Sequence, residues 1–121
     1  MSIKVGINGF GRIGRAVLKN ILKDPECSNI EINTGNYSEL VAAKDVETEL
    51  LRIQQASKYA ANMGLRVFAG HGLNYDNVKA IAAIPEVEEL NIGHFLVAQS
   101  VYIGIEEAVK LMKQVIKTAS S

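Results

Sequence analysis

Two short segments combine histidine with glycine. His71 lies in the run Gly70-His71-Gly72, and His94 directly follows Gly93. Imidazole titrates near neutral pH, so either ring could transfer protons. Backbone N–H groups at glycines, together with a histidine, form a good cradle for an anion. The pattern indicates a phosphate site made by Gly72, Gly93 and His94; the simpler alternative is a pair of loop histidines bonded to backbone.

A third segment near the N-terminus has the spacing G-x-G-x-x-G. It follows the strand-like alternation of Ile3, Val5 and Ile7 and opens a helical pattern. In that context glycines let the backbone approach a pyrophosphate at the helix N-terminus, although the same run can be a tight turn with no ligand. The candidate cofactor-binding residues are Gly9, Gly11, Arg12, Ile13 and Gly14.

The longer string from Ile3 to Arg15 resembles the N-terminus of glyceraldehyde-3-phosphate dehydrogenase. The resemblance covers about residues 1–26 and implies that the glycines border bound NAD. Such sites need a carboxylate at the end of the second strand to hold the ribose. Asn33-Thr34-Gly35 stands there, and Glu31 would lie on the opposite strand face. We therefore expect NAD to bind weakly or not at all.

Strand and helix patterns alternate along the rest of the chain, which predicts a parallel sheet of four βα units. Asp45 is a plausible helix N-cap, and Gly64 a helix stop. The predicted strands cover residues 3–7, 30–34, 65–69 and 87–92, and the predicted helices lie near 12–23, 46–60, 76–83 and 105–116.

Each predicted strand has one apolar and one mixed face, and this distinguishes two α/β architectures. A doubly wound sheet is covered on both faces and favours continuously apolar strands. A (β/α)₈ barrel tolerates polar groups inside, near the carboxyl ends of its strands. The pattern favours a half-(β/α)₈-barrel; the alternative is a small three-layer flavodoxin- or Rossmann-like sheet. The mixed faces carry Lys4, Asn8, Glu31, Asn33, Arg66, Phe68, Glu89 and Asn91.

Composition limits the function classes. The 121 residues fit one domain, and a formal net charge of zero gives no electrostatic footprint for nucleic acid or membrane surfaces. Cys27 is the only cysteine, so no internal disulfide can form. The most apolar stretch, residues 95–105, is too short to span a bilayer. These features predict a cytoplasmic protein.

From about Ile30 to Ala119 the chain resembles the C-terminal part of the pyridoxine 5′-phosphate synthase (PdxJ) family. The segments that carry this resemblance are Ile30-Glu31-Ile32-Asn33-Thr34-Gly35-Asn36-Tyr37, Ala69-Gly70-His71-Gly72-Leu73-Asn74-Tyr75, Asn77-Val78, Ile81-Ala82-Ala83-Ile84-Pro85 and Glu89-Leu90-Asn91-Ile92-Gly93-His94.

The resemblance implies the condensation of 3-amino-2-oxopropyl phosphate with 1-deoxy-D-xylulose 5-phosphate, with no metal or organic cofactor. It implies that His71 is the general acid or proton relay and that Glu31 steadies the reacting centre. It also implies that Gly72, Gly93 and His94 hold phosphate. Asn33 stands where the family usually has histidine.

The family is about twice this length, and its early strands supply further acid–base groups and substrate-binding arginines. We therefore expect no useful turnover, because groups that act as a set fail when members are missing. Two resemblances in one small domain favour a designed chimera that binds phosphate or a phosphorylated small molecule. A residual synthase and an NAD-binding module are the alternatives. A bare sheet face also predicts a homodimer that closes eight strands into one barrel.

Overall fold

The computed structural model describes residues 12–24 and 26–120, without the side chains of residues 12–15 and 17. The strand predicted at residues 3–7 lies outside this part of the chain. The described elements are α1 (Arg12–Ile21), β1 (Asn29–Asn33), α2 (Gly35–Glu39), α3 (Ala43–Asn62), β2 (Arg66–Gly70), α4 (Val78–Ala82), β3 (Val87–Asn91), α5 (His94–Ile103) and α6 (Ile105–Ala119).

The three described strands form a parallel sheet in the order β1-β2-β3. Glu31 pairs with Phe68 and Asn33 with Gly70, while Phe68 pairs with Glu89 and Gly70 with Asn91. A register irregularity beside Val67 and Phe68 interrupts the second ladder. All three strands nevertheless end at the same height, so the segments that follow them emerge at one edge of the sheet.

Among the described residues, only one face of this sheet is packed against helices. Ile30, Val67 and Ala69 point into the core, with exposed fractions of 8%, 0% and 0%. Glu31, Asn33 and Asn91 alternate with core residues and are exposed on the other face, which we call the open face. The described part therefore has a helical layer and a sheet, as in a segment of a (β/α)₈ barrel, and this agrees with the predicted one-sided strands.

Two apolar clusters join the helices to the packed face. The smaller one places Leu18 of α1 against Ile30, Ala60, Leu65 and Val67. The larger one gathers Ile53 of α3, Ile81 of α4 and Met112 of α6 around Ala69 and Leu73. Burial of these side chains is the main force that fixes the helices on the sheet.

Two helices are not predicted from the sequence. We interpreted Gly35-Asn36 as a break, yet α2 begins at Gly35. Residues 94–103 form α5, whose apolar side chains surround the whole helix and give no one-sided pattern. Asp45 is not an N-cap, because α3 begins after Ala42 and Asp45 lies in its first turn. Gly64 has a φ of 84°, as expected for a glycine just past a helix end.

Within residues 12–24 and 26–120, no helix combines the length and apolar character needed to cross a membrane.

Tyr37 gives the fold a testable pH dependence. Its ring is 5% exposed and its hydroxyl donates to the carbonyl of Asn77 at 2.9 Å. Burial raises the pKa of this phenol above its usual value of 10.0. The native state therefore keeps the proton after the unfolded state has lost it. The resulting stability is fully present below about pH 10 and is lost as the pH rises through the folded-state pKa.

We expect the free energy of unfolding to stay level up to about pH 10 and to fall as the pH rises further, in urea titrations. Tyr37→Phe should lower it by about 1 kcal/mol at neutral pH, through the lost hydrogen bond, and should flatten the alkaline fall. Tyr102→Phe, at a site that is 83% exposed, is the control and should keep the fall. An unchanged alkaline fall in Tyr37→Phe would contradict the assignment.

The open face and the unshared strand edges lead to a prediction about assembly. Among the described strands, β1 and β3 each have one neighbour, and Phe68 is only half-buried on the open face. A second copy would cover both features, so we expect sedimentation at tens of micromolar to give twice the chain mass of 13.1 kDa.

Phe68→Lys should weaken this dimer, because it would place a second cation beside Arg66, whose guanidinium lies 5.3 Å from the Phe68 ring centroid. Val41→Lys, at a position that is 96% exposed, is the matched control and should leave the mass unchanged. A sharp monomer that unfolds cooperatively would rule out the barrel-closing dimer.

Candidate functional site

The sheet register brings three glycine-containing segments to one edge. Asn33, Gly70 and Asn91 form one hydrogen-bonded row across β1, β2 and β3. Gly35, Gly72 and Gly93 each follow that row by two residues. The carboxyl ends of parallel strands are the usual ligand edge in α/β proteins. The three glycines therefore lie together at this edge, and phosphate binding by Gly72 and Gly93 stays a prediction.

The segment after β2 has an uncommon backbone. His71 has a φ of 91° and the following Gly72 a φ of 74°. Glycine adopts positive φ readily, whereas a histidine does so only where its surroundings hold it there. Backbone held in such sparsely populated conformations is concentrated at active sites and ligand-binding segments. The hydroxyls of Thr34, just before α2, and Ser38, within α2, both donate to the His71 carbonyl and hold this segment.

Gly35 provides the surface for the His71 ring. A Cβ atom added at Gly35 would lie 2.7 Å from Cδ2 of His71 and 2.9 Å from Oδ1 of Asn33. That same Asn33 oxygen accepts a hydrogen bond from the Gly35 N–H at 2.8 Å. A side chain at position 35 would therefore displace the imidazole. Asn33, where the family resemblance leads us to expect histidine, instead ties the end of β1 to the start of α2.

Gly72 packs equally closely on α2. A Cβ atom at Gly72 would lie 2.7 Å from Cβ of Ser38. On the other side, the Gly72 carbonyl accepts a hydrogen bond from Nδ2 of Asn77 at 3.3 Å, and Oδ1 of Asn77 accepts one from the Asn74 N–H at 2.8 Å. The loop that carries His71 is thus held between α2 and the turn that precedes α4.

Gly93 and His94 form the start of a helix rather than a loop. Gly93 caps α5, and its carbonyl accepts the N–H of Val97 at 3.0 Å. His94 is the first helical residue and is exposed, and a Cβ atom at Gly93 would meet nothing within 4 Å. The first N–H groups of a helix have no partner within it and carry a partial positive charge. No acidic residue occupies the first turn of α5.

An aromatic contact connects the two glycine segments. The rings of Tyr75 and Phe95 meet edge to face, with their centroids 4.7 Å apart at 87°. Tyr75 also donates its hydroxyl to the carbonyl of Ala108 in α6 at 3.0 Å. Because Phe95 follows His94 directly, this contact holds the start of α5 beside the loop that carries His71.

Glu31 lies on the open face of β1, two residues before Asn33. It is therefore set back from the sheet edge that carries Gly35, Gly72 and Gly93, which we call the glycine edge. Its carboxylate accepts a hydrogen bond from Nδ2 of Asn91. A separate ion pair at the other end of the sheet joins Arg66 to Glu88 at 2.8 Å. That pair is well exposed, with side chains 60% and 48% accessible, so it adds little stability. The Arg66 guanidinium is thus paired with Glu88 and not with Glu31.

The dinucleotide motif is only partly within the described residues. Gly9 and Gly11 lie outside them, and Arg12, Ile13 and Gly14 begin α1, with side chains that are not described. Thr34, where a ribose-binding carboxylate would be needed, is fully buried and donates its hydroxyl to the carbonyl of His71 at 2.7 Å. An acid at this position would face the packed side of the sheet, and weak or absent NAD binding stays a prediction.

Thr34, Ser38 and Asn91 take part in the site but are not predicted from the sequence. Thr34 was detectable in principle, because it continues the buried alternation of Ile30 and Ile32 with a polar residue. In the part of the chain that the structure covers, no group of three His, Cys, Asp or Glu side chains is placed to hold a metal ion.

Comparisons with known proteins test the resemblance of residues from about 30 to 119 to the pyridoxine 5′-phosphate synthases. Pyridoxine 5′-phosphate synthase from Sulfurihydrogenibium sp. (strain YO3AOP1) is 56% identical over 90 residues, which are 74% of this chain and 37% of that protein. The enzyme of the same name from Chloroherpeton thalassium is 52% identical over 83 residues, which are 69% of this chain and 35% of that protein. The chain thus spans little more than a third of these curated relatives.

The family model described as pyridoxal phosphate biosynthesis protein PdxJ matches residues 19–118. This match covers β1 to α6 and the end of α1, and the resemblance of residues 1–26 to the dehydrogenase stays a prediction. The match to most of the chain, together with the identity to the synthases, shows that this chain belongs to the PdxJ family.

Proposed function

We propose that this chain retains the phosphate-binding end of a pyridoxine 5′-phosphate synthase barrel and lacks a complete active site. The observation that carries the proposal is the hydrogen-bonded row of Asn33, Gly70 and Asn91, which sets Gly72 and Gly93 at one sheet edge. We further propose that the chain is a chimera, since the dehydrogenase-like string precedes most of the family match at residues 19–118.

The proposed anion ligands are Gly72, Gly93 and His94. The first turn of α5 offers unpaired N–H groups, and His94 stands at its start, where a protonated imidazole would add a positive charge. The space beside Gly93 is open, and the positive-φ backbone at His71 and Gly72 presents N–H groups from the neighbouring strand end. These features suit the dianion of a phosphate monoester.

The proposed roles of His71 and Glu31 follow their positions. His71 is exposed at the glycine edge, where an imidazole can give a proton to, or take one from, a bound phosphorylated substrate. Glu31 lies on the open face, which corresponds to a barrel interior, and its hydrogen bond to Asn91 fixes the orientation of the carboxylate. A carboxylate held in this way stabilises positive charge that develops at the reacting centre.

These groups are only part of a catalytic set. The chain spans 37% of its relative from Sulfurihydrogenibium, so the matched residues account for little more than a third of that synthase. General acids and bases that act together lose nearly all of their effect when one is removed. We therefore propose that the chain binds phosphate but does not turn over synthase substrates.

Titration with inorganic phosphate and with pyridoxine 5′-phosphate, followed by NMR, tests the proposal. We expect the His94 imidazole and the Gly93 amide resonances to shift at millimolar ligand. No shift at these residues would contradict the proposed function. The start of α6 is an internal control, because Glu106 and Glu107 occupy its first turn and repel anions.

Gly93→Val is the variant that separates binding from folding. Nothing lies within 4 Å of a Cβ atom at this position and its φ is negative, at −125°, so the variant should fold normally. Its side chain would occupy the space proposed for the anion, and the phosphate-induced shift should disappear. Formation of pyridoxine 5′-phosphate from the two synthase substrates would instead identify a residual enzyme.

A further inference from the structure

The hydroxyl of Thr34 holds the strained residue of the site. The carbonyl of His71, whose φ is 91°, accepts a hydrogen bond from Oγ1 of Thr34 at 2.7 Å. The N–H of Thr34 donates to the carbonyl of Gly70, also at 2.7 Å. One residue at the end of β1 thus binds two successive carbonyls at the end of β2. Thr34 is fully buried, and the bond from its hydroxyl to the exposed His71 is part-buried.

The direction of this contact determines where the next N–H points. Within the described residues every peptide bond is trans, and the C=O and N–H of a planar trans peptide point in opposite directions. The His71 carbonyl and the Gly72 N–H belong to the same peptide. Because Thr34 draws the carbonyl toward the packed side of the sheet, the Gly72 N–H is directed away from it, toward the exposed glycine edge.

Ser38 supplies a second, weaker contact to the same carbonyl. Its Oγ lies 3.3 Å from the His71 oxygen, and the side chain is only half-buried. Its Cβ is also the atom against which Gly72 packs. Two hydroxyls from the β1–α2 segment therefore converge on one carbonyl, and the shorter bond comes from the fully buried residue, Thr34.

We propose that Thr34 is a positioning residue, whose hydroxyl fixes the His71–Gly72 peptide so that the imidazole lies over Gly35 and the Gly72 N–H faces the anion. This inference rests on the proposed function, because it assigns Thr34 a role through the proposed proton-transfer residue and phosphate ligand. Thr34 does not touch the anion itself.

Two substitutions at position 34 test the role of the hydroxyl. Thr34→Val keeps the shape of the side chain and removes the hydrogen bond, whereas Thr34→Ser keeps the hydroxyl. Thr48→Val is the matched control, since the Thr48 hydroxyl donates to the Lys44 carbonyl at 2.8 Å on the exposed side of α3. Thermal unfolding and the amide resonances of α6 report whether each variant keeps the fold.

The first measurement needs no ligand. The three-bond coupling between the amide proton and Hα of His71 reports its φ, and we expect a changed coupling in Thr34→Val alone. The second is the phosphate titration of the Gly72 amide. We expect the apparent dissociation constant to rise about tenfold in Thr34→Val, the size expected for one lost hydrogen bond, and to stay near its original value in Thr34→Ser and Thr48→Val.

The outcomes separate this inference from the proposed function. If the original protein shows no phosphate shift, the proposed function fails, while the His71 coupling still decides whether Thr34 holds the peptide. An unchanged coupling and an unchanged Gly72 response in folded Thr34→Val would overturn the inference. If Thr34→Val does not fold, Ser38→Ala replaces it. A smaller change in the His71 coupling and in the dissociation constant, in the same direction, would support the holding of the His71 carbonyl by the two hydroxyls. No change in either quantity would refute it.

Discussion

The alignment of the three parallel strands is the constraint on which the rest of the structure depends. Asn33, Gly70 and Asn91 share one row, so the three strands end together. A slip of one residue in β2 would exchange the buried Val67 and Ala69 for Phe68 and Gly70 on the packed face. It would also move His71 away from Thr34. Burial on one face and geometry at the edge are therefore set by the same hydrogen bonds.

Successive side chains of a strand point to opposite faces of the sheet, so neighbouring residues at the site lie on different faces. Thr34 belongs to the packed face and is 0% exposed, whereas Asn33 belongs to the open face and is exposed. Neighbouring residues of one segment therefore act on different parts of the site. Thr34 holds the His71 backbone from beneath, and Asn33 ties the start of α2, on which the His71 ring rests. Thr34, a polar residue at the end of an apolar strand face, thus binds the His71 carbonyl.

The sequence predicted the elements whose signals are local. The predicted strands at 30–34, 65–69 and 87–92 differ from β1, β2 and β3 by about one residue at their ends, because alternation and flanking glycines mark them. His71 and Gly72 were likewise marked by residue type. The bond from Thr34 to His71 was not predictable, since it joins residues 37 positions apart and depends on the register of two strands.

Helix α5 shows why composition alone misleads at this site. A helix that is apolar on all sides is normally buried on all sides. α5 packs Phe95 and Leu96 toward the core, yet Val97, Val101 and Tyr102 are 66%, 81% and 83% exposed. The sequence therefore lacked the one-sided pattern by which α6 was identified. The helix that follows Gly93 is held at its first turn, where Phe95 meets Tyr75, and it also packs on α6. The Phe95–Tyr75 contact lies directly beside the proposed anion site, so a helix with several exposed apolar side chains is fixed at the end where precise geometry is needed.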